Sequence, residues 1–311
     1  MLLTGAVRPF GSSMLAAAAL LTCLATPAAA QDGADPNPGA ITISGAIDFT
    51  NAYMFRGIPQ DESGVIMWPY FDLGLSAFSG DGGVKSVTIN LGTWNSLHTG
   101  NAGLDSNQEK LWYESDFYAT VGLGFGAGTS LGATYTAYTS PNGLFGTTKE
   151  IALKFAVDDT AHLGAAALKP YVLFAFEFDT DALAGQADGG LEAGKYLELG
   201  VAPGMAWPRA SLSVPVKVGL SLGDYYENVS LSEDLSVTSE DTTFGYFSIG
   251  AAVTVPFTSM PTPFGSWNVH GGVEYQRLSD RNGLVLDAIN GATGSPENNQ
   301  VIATVGIGFS Y

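Results

Sequence analysis

Charged and aromatic residues recur at alternate positions in several segments of the first half of the sequence. Each group would project from one face of a strand, because side chains two residues apart share a face. An arginine facing two carboxylates forms charge-assisted hydrogen bonds, and aromatic rings can stack on a sugar or another flat solute. The sequence leaves two roles open for this set, a structural lock and a solute-contacting constriction. Its members are Arg56, Trp68, Tyr70, Asp72, Trp94, Glu114 and Asp116, with Glu274 at the same phase in a later segment.

A serine and a histidine lie close enough in sequence to suggest a nucleophile and its base. Ser96 stands two residues before His98, and Asp105 follows them. Acyl transfer needs the hydroxyl and the imidazole within about 3 Å of each other, which sequence spacing does not establish. The S-x-H spacing is common, and we interpret His98 as a solvated residue of an external loop. We therefore assign no catalytic residue, and no spacing of His, Cys or acidic residues indicates a metal site or a cofactor.

These side chains must be positioned by β-strands, which the sequence indicates through alternation of apolar and polar residues with period two. It begins at Ile41 and continues to Arg56, roughly sixteen residues, whereas strands of globular proteins have about 5 or 6. About twelve such segments follow one another, and compact Gly, Pro and Ser turns alternate with longer acidic connections. The pattern predicts an all-β fold, a single closed antiparallel transmembrane β-barrel of about twelve strands with up-and-down topology. Prolines within the predicted strands are interpreted as bulges or strand ends, at Pro69, Pro170, Pro203 and Pro215.

Composition and the N-terminus set further limits. Residues 1–30 resemble a cleaved secretory signal peptide, residues 31–40 form a short lead, and residues 41–311 form the barrel. The only cysteine, Cys23, lies in the signal, so no disulfide is expected in the mature chain. A net charge of −18 makes nucleic acid a poor partner. The 40 glycines and 14% charged residues suit an alternating barrel, and no apolar run is long enough for a transmembrane helix.

The C-terminal segment Val301 to Tyr311 alternates up to an aromatic last residue. It resembles the terminal strand that the barrel-assembly machinery of bacterial outer membranes reads, with Phe309 and Tyr311 as the signal. We expect this strand to close the barrel against the first segment, with Tyr311 near Ile41 at the periplasmic rim, facing lipid. Outward aromatic girdles are predicted at both rims, and that at the external rim comprises Tyr53, Phe55, Tyr113, Phe178, Tyr226 and Tyr275. The final strand of a soluble periplasmic β-sandwich would show the same alternation.

The segment from Phe49 to Gln60, FTNAYMFRGIPQ, carries a family resemblance. It resembles the start of the uncharacterised proteobacterial family Gcw_chp, the TorF-type outer-membrane porins, whose usual pattern is close to S-D-Y-x-F-R-G-I-S-Q. Asn51, Ala52 and Pro59 depart from that pattern, and the stretches NLGTWNS (90–96) and E-x-D-x-Y (114–118) are also similar. The resemblance implies a Gram-negative outer-membrane barrel, with a channel as one role, and it implies no catalytic residue.

These observations favour a porin-like channel of the bacterial outer membrane for the passive diffusion of small solutes. Inward charges of both signs with an acidic excess predict a mild preference for cations. The expected partners are outer-membrane lipid and lipopolysaccharide, the barrel-assembly machinery and small solutes. The main alternative is a nonconducting barrel that is structural or binds a partner, and the second is an outer-membrane hydrolase, although we expect a protein that is not an enzyme.

Overall fold

A computed structural model describes residues 39–103, 111–180, 193–231, 237–279 and 298–311. Within these ranges the chain is almost entirely β-strand, with one helical turn, α1 (Thr160–Leu163), and short 3-10 turns at Gly126–Gly128, Gly164–Ala166 and Thr262–Phe264. No helix in the described ranges is long and apolar enough to cross a membrane. The strands are β1 Ile41–Thr50, β2 Tyr53–Phe55, β3 Ile58–Asp61, β4 Ile66–Ser79, β5 Val84–His98, β6 Trp112–Phe125, β7 Thr129–Thr139, β8 Thr148–Val157, β9 Tyr171–Thr180, β10 Lys195–Val201, β11 Gly204–Trp207, β12 Ala210–Ser213, β13 Val216–Gly223, β14 Glu227–Leu231, β15 Val237–Asp241, β16 Phe244–Pro256, β17 Ser266–Leu278 and β18 Asn299–Ser310.

The barrel wall is one antiparallel sheet that closes on itself. Successive wall strands pair with each other, and β18 pairs with both β17 and β1. Pro203 separates β10 from β11, and Pro215 separates β12 from β13, because proline has no N–H to donate to a ladder. Each of these pairs forms one bent strand, so the wall has twelve strands. The predicted twelve-stranded up-and-down barrel is confirmed, and these two prolines lie at strand interruptions.

The outer surface of the barrel carries a continuous band of apolar side chains. On β18, Val301 and Val305 are more than half exposed, whereas Ile302 and Gly306, which each follow one of them, are buried. The same alternation exposes Leu91 and other large apolar residues all around the wall. A band of this size suits the hydrocarbon of a bilayer and would aggregate in water. The chain is a barrel of the bacterial outer-membrane type, and the sandwich alternative is excluded by closure of the sheet.

The two ends of the barrel differ in the length of their connections. Both ends of the barrel chain lie at the rim with the short connections, which include residues 80–83, 126–128 and 208–209. The opposite rim has the long ones, including residues 99–111, 181–194 and 279–298. Short periplasmic turns and long extracellular loops are typical of outer-membrane barrels, so we name the two rims periplasmic and external. The connections follow the predicted rhythm except at residues 158–170, a long periplasmic connection that contains α1.

The last strand closes the barrel against the first. Ser44 pairs with Ser310, and the N–H groups of Ile43 and Tyr311 each donate to the other residue's carbonyl oxygen at 2.7 Å. Tyr311 is 42% exposed at the periplasmic rim. The predicted seam is confirmed, whereas recognition of Phe309 and Tyr311 by the assembly machinery stays a prediction.

The first strand was predicted to run from Ile41 to Arg56, which is too long, because the chain forms a separate hairpin after β1. β1 ends at Thr50, and β2 and β3 form a separate two-stranded sheet that is not part of the wall. Arg56 and Gly57 make its two-residue turn, with φ of 50° and 82°, values typical of a type I′ turn. Alternation continues through β2 because the hairpin is itself β-structure. Tyr53 and Phe55, predicted to face lipid, are instead buried at 2% and 3% exposure.

Asn51 marks the point where the chain leaves the wall. Its side chain accepts a hydrogen bond from the Ala303 N–H at 2.6 Å and donates to the Val301 carbonyl at 3.1 Å. These bonds satisfy backbone groups of β18 that would otherwise lose their partners where β1 ends. The chain can therefore turn into the barrel without leaving an unpaired edge beside it.

Candidate functional site

The β2–β3 hairpin follows β1 and crosses the lumen, and its tip contacts the opposite wall of the barrel. The two terminal nitrogens of Arg56 donate to the two carboxylate oxygens of Glu150 on β8, at 2.6 and 2.8 Å. β8 lies between β7 and β9, whereas β1 lies between β18 and β4, so this ion pair crosses the lumen. The side chains are only 2% and 1% exposed. Two parallel charge-assisted bonds fix the position of the tip as well as its charge.

Tyrosines enclose the hairpin tip. Arg56 donates to the Tyr225 hydroxyl at 3.1 Å, and the Tyr226 hydroxyl donates to the Arg56 carbonyl at 2.7 Å. The guanidinium carbon lies 4.3 Å from the ring centroid of Tyr196. A Cβ added to Gly57 would lie 2.9 Å from the ring of Tyr246. The buried apolar cluster on this side comprises Ile58, Ala152, Leu173, Ala175, Tyr196, Tyr225, Tyr226, Tyr246 and Leu278.

A buried carboxylate on β10 is held by three of the surrounding tyrosines. The hydroxyls of Tyr171 and Tyr196 donate to Glu198 at 2.7 Å, and that of Tyr246 donates at 3.0 Å. These donors satisfy the carboxylate in a site that water reaches poorly. The Lys154 ammonium lies 4.2 Å above the ring of Tyr171. This side of the lumen therefore stays polar beneath the hairpin tip.

The base of the hairpin is held by a serine, a histidine and an aspartate. Ser96 Oγ lies 2.6 Å from His98 Nε2, and His98 Nδ1 lies 3.0 Å from Asp61 Oδ2. The Trp68 indole N–H donates to Ser96 Oγ at 3.0 Å. Ser96 and His98 are fully buried, and Asp61 is 8% exposed. The interpretation of His98 as a solvated loop residue is wrong, because β5 extends to His98 and directs it into the lumen.

Asp61 also fixes the backbone around it. Its Oδ1 accepts hydrogen bonds from the N–H and the hydroxyl of Ser63 at 2.9 and 2.6 Å, and its Oδ2 accepts one from the Ala102 N–H at 3.2 Å. Burial raises the pKa of Asp61, but the hydrogen bonds from His98 and Ser63 lower it more, so the pKa lies below its usual 3.8. The acid of this cluster was not identified from the sequence, and Asp105 lies outside the described residues.

The second face of the hairpin packs on an aromatic cluster around this triad. The ring of Tyr53 lies 5.5 Å from that of Trp68 and 5.4 Å from that of Trp94. Tyr113 stacks on His98 with centroids 4.4 Å apart, and Phe55 meets Tyr138 edge-on at 5.5 Å. Tyr113 and Tyr226, which the sequence placed in an outward girdle, are buried in the lumen. The rings of Tyr113 and Tyr226 face the hairpin and not the lipid, whereas Phe178 and Tyr275 are exposed on the outer surface as predicted.

The other residues singled out from the sequence lie on the inner wall, but Arg56 does not join their acids. Asp72 accepts hydrogen bonds from Asn90 at 2.7 Å and from the Tyr118 hydroxyl at 3.0 Å. Glu274 pairs with Lys217 at 3.3 Å. The expected arginine facing carboxylates exists, but its partner is Glu150, because Arg56 lies on the hairpin and not on the first wall strand. Trp68, Trp94, Glu114 and Asp116 are buried near the external end, and Tyr70 is partly buried beside them.

One buried donor in this region has no hydrogen-bond partner, the indole N–H of Trp94. Trp94 pairs with Asp116 across β5 and β6, and Ser96 pairs with Glu114. Unpartnered buried polar groups are rare in proteins and often accompany function. In the described part of the chain no group of three His, Cys, Asp or Glu side chains is arranged to hold a metal ion.

The periplasmic half of the lumen is more open than the external half. Asn90, Thr134, Lys154, Lys217 and Thr304 line it and each keeps part of its surface exposed. At the external end, in contrast, the lining residues Ser96, His98, Glu150, Tyr226 and Tyr246 are at most 1% exposed. The hairpin therefore seals one half of a polar lumen and leaves the other in contact with water.

A second polar cluster ties the barrel seam together. His270 Nε2 on β17 lies 2.6 Å from Asp48 Oδ1 on β1, and its Nδ1 lies 2.7 Å from Asn268 Oδ1. β18 runs between these two strands, and its Gly306 leaves room for the contact, since a Cβ there would lie 1.8 Å from Asp48 Oδ1. We assigned His270 no role from the sequence. The one indication was that His270 and Asp48 both occupy inward-facing positions of their strands.

No protein-family model matches this sequence. No curated protein matches it either. Among solved structures, the translocator domain of the autotransporter NalP from Neisseria meningitidis is 15% identical, with a TM-score of 0.39 over 89% of this chain and 91% of that one. An outer membrane channel from Pseudomonas putida F1 is 12% identical, with a TM-score of 0.41 over 90% and 99% of the chains. Outer membrane phospholipase A from Escherichia coli is 12% identical, with a TM-score of 0.41 over 88% and 93%. Similarity at this level assigns none of these functions to the chain.

Proposed function

We propose that this protein is an outer-membrane channel for the passive diffusion of small solutes, and that the β2–β3 hairpin closes its external mouth. One observation carries the proposal. The hairpin seals the external half of the lumen, while the periplasmic half remains polar and partly exposed. A twelve-stranded barrel encloses more space than its own side chains need to fill, so removal of the hairpin would leave a continuous aqueous path.

The lumen favours cations over anions. With the hairpin in place, its described charged side chains include nine acidic residues and three basic residues besides histidine. The acids are Asp48, Asp61, Asp72, Glu114, Asp116, Glu150, Glu177, Glu198 and Glu274, and the bases are Arg56, Lys154 and Lys217. Rings of acidic side chains attract cations into a pore. Arg56 lies on the hairpin, so when the channel opens this positive charge moves away from Glu150 together with the hairpin.

The family resemblance supports the same function. The residues that match the Gcw_chp or TorF-type pattern, Tyr53, Phe55, Arg56, Gly57, Ile58 and Gln60, form the hairpin and its turn. Its Arg-Gly turn suits the two positive φ values that a type I′ turn needs. We infer that the pattern encodes an inward plug in this chain.

Lipid and assembly factors are the proposed partners of the outer surface. The apolar band suits the lipid of the outer membrane, and the acidic external connections suit a surface where divalent cations bridge lipopolysaccharide. Tyr311 is exposed beside the seam, where the barrel-assembly machinery could read it together with Phe309.

A nonconducting barrel is the second candidate, and the packing of the hairpin favours it. Aromatic residues cover both faces of the hairpin, as expected of a permanent filling. Such a barrel would act through its external surface, as a structural protein or by binding a partner. The two candidates differ in whether the intact barrel opens, because a permanently filled barrel would give no openings with the hairpin in place.

Planar-bilayer conductance separates them. We would compare the wild-type barrel with a variant in which residues 52–64 are replaced by a short Gly-Ser linker. A matched control carries the same linker in place of residues 258–263, a connection at the periplasmic rim. We expect rare openings of the wild type and of the control, and a steady cation-preferring current from the shortened variant. A shortened barrel that is folded, as judged by heat-modifiable migration, yet does not conduct would contradict the channel.

A further inference from the structure

Ser96, His98 and Asp61 meet beneath the hairpin in the geometry of an activated nucleophile. Hydroxyl, imidazole and carboxylate are joined in order by contacts of 2.6 and 3.0 Å. We propose that they form a hydrolytic site for uncharged carboxylic esters, which the β2–β3 hairpin covers in the closed barrel. This site does not depend on whether the barrel conducts ions.

The hydrogen bonds around Ser96 orient its proton. The Trp68 N–H donates to Ser96 Oγ, so the hydroxyl proton is directed to His98 Nε2. The Asp61 carboxylate can only accept, so His98 carries its own proton on Nδ1 and leaves Nε2 free to accept another. His98 is held as the tautomer that a general base requires, and Asp61 stabilises the imidazolium that would form.

A purely structural latch would account for these three residues but not for the group beside them. The Trp94 indole N–H is buried without a partner, two residues before Ser96 on the same face of β5. An unpartnered donor beside a nucleophile is what the stabilisation of an oxyanion needs. The Trp68 N–H already donates to Ser96 Oγ, so the Trp94 N–H is the donor left free for this role.

The reaction follows from these positions. Ser96 Oγ attacks the ester carbonyl carbon as its proton passes to His98 Nε2, and the carbonyl electron pair moves onto the oxygen, which faces the Trp94 indole N–H. Collapse of this intermediate breaks the bond to the alcohol oxygen, which takes the proton from His98. Water then attacks the acyl-serine, giving one proton to His98, and the carboxylic acid leaves as Ser96 recovers its proton.

The walls of the site indicate the class of ester. Tyr53, Trp68, Trp94 and Tyr113 surround the triad with aromatic rings, which suit an apolar or aromatic acyl group. Glu114 and Asp116 lie beside Ser96 and Trp94 on the neighbouring strand. Buried acidic groups disfavour a negatively charged ester at this position. The substrate is therefore a small uncharged ester.

The hairpin can uncover the site without dismantling it. Its tip is held by Arg56 and Glu150 on the far wall, whereas its base is held at Asp61 by Ser63 and by the Ala102 N–H. The Asn101 N–H donates to Ser63 Oγ at 2.7 Å and anchors the same base. Tyr53 pairs with Asp61 at this base, so release of the tip would move Phe55 and the outer part of the hairpin away while Tyr53 and Asp61 remained beside His98.

Labelling with an uncharged fluorophosphonate tests the proposal, because Ser96 Oγ would form a bond to phosphorus and expel fluoride. We would label the detergent-solubilised wild type and Arg56→Ala, with Arg56→Lys as a milder variant, and locate the adduct by peptide mass spectrometry. Ser96→Ala and His98→Gln are each combined with Arg56→Ala. Ser248→Ala is the matched control, because Ser248 is also a buried serine of the wall. Heat-modifiable migration checks that each barrel is folded.

We expect Arg56→Ala to be labelled at Ser96 at least about tenfold faster than the wild type, because the covered site opens. Labelling should disappear in Ser96→Ala, persist with Ser248→Ala, and fall by about a hundredfold or more in His98→Gln, which lacks the base. Trp94→Phe should lower the turnover of 4-nitrophenyl butyrate by about tenfold or more. The proposal is overturned if neither Arg56 variant gives a Ser96 adduct, or if the adduct forms equally fast without His98.

Discussion

The Arg56 guanidinium and the Glu150 carboxylate form a two-pronged ion pair between the hairpin tip and the far wall of the barrel. Each is buried, so each depends on the other for its charge to be tolerated there. Removing one member of such a pair costs about 3–5 kcal/mol, mainly because the other charge is left buried and uncompensated. The position of the hairpin therefore rests heavily on this contact.

Glu150→Gln should loosen the hairpin. The amide keeps the shape of the side chain but leaves Arg56 without a counter-charge, so we expect the open probability in planar bilayers to rise by about tenfold or more. Glu274→Gln is the matched control, since Glu274 pairs with Lys217 in the part-exposed region of the wall. It should change ion selectivity slightly and leave the open probability near that of the wild type. Equal open probabilities in the two variants would argue against the ion pair as the closing contact.

Gly57→Ala should displace the tip by a steric route. Its Cβ would meet the Tyr246 ring at 2.9 Å, and the residue has a φ of 82°. Gly143→Ala is the control, because Gly143 has a φ of 74° but nothing within 4 Å of an added Cβ. Both substitutions carry a backbone penalty of about 1–2 kcal/mol, and we expect only Gly57→Ala to increase conductance. An increase of the same size in Gly143→Ala would show that backbone strain alone is responsible.

Gly306→Ala should weaken the seam. The new Cβ would lie 1.8 Å from Asp48 Oδ1 and 2.7 Å from His270 Nε2, so the contact between β1 and β17 must break or shift. Overpacking of this kind costs about 1–3 kcal/mol, and the heat-modifiable band shift should be lost at a lower temperature. Gly308→Ala, on the same strand and face, meets nothing closer than 3.2 Å and should melt near the wild type. A wild-type melting temperature for Gly306→Ala would exclude a stabilising role for the contact.

Acid should release the base of the hairpin. The pKa of Asp61 is lowered in the folded barrel, so its stabilising contribution is complete above its usual value of 3.8 and is lost as pH falls through its lower folded value. We expect the open probability of the wild type to rise as pH is lowered below about 4. Asp61→Asn has no carboxylate to titrate at this position, so it should lack this component of the pH dependence. Superimposable pH profiles would refute the assignment to Asp61.

The wall of the barrel could be predicted from the sequence because its signals are local. Alternation in β18 fixes which face meets lipid, and the compact turns fix the direction of each strand. The seam between Ile43 and Tyr311 follows from these two facts, since the first and last strands of a closed barrel must pair.

The contents of the lumen could not be predicted because they depend on where one hairpin folds. The alternation at Tyr53 and Phe55 is the same whether the chain continues up the wall or turns inward at Asn51. Once it turns inward, Arg56 faces Glu150 and Asp61 faces His98, and both contacts join residues far apart in sequence. Placement of Ser96 and His98 in a loop failed for a related reason, because β5 extends farther than its alternation suggested.

A charge-swap cycle tests the closing contact most directly. Arg56→Glu and Glu150→Arg are made separately and together, and single-channel open probability is recorded for all four proteins. Each single substitution places like charges in contact and should open the channel. The double substitution restores an opposite pair and should return the open probability most of the way to the wild-type value. Closure of the barrel by this ion pair would be contradicted if the double variant had an open probability equal to the two single increases added together. It would also be contradicted if the single variants stayed closed.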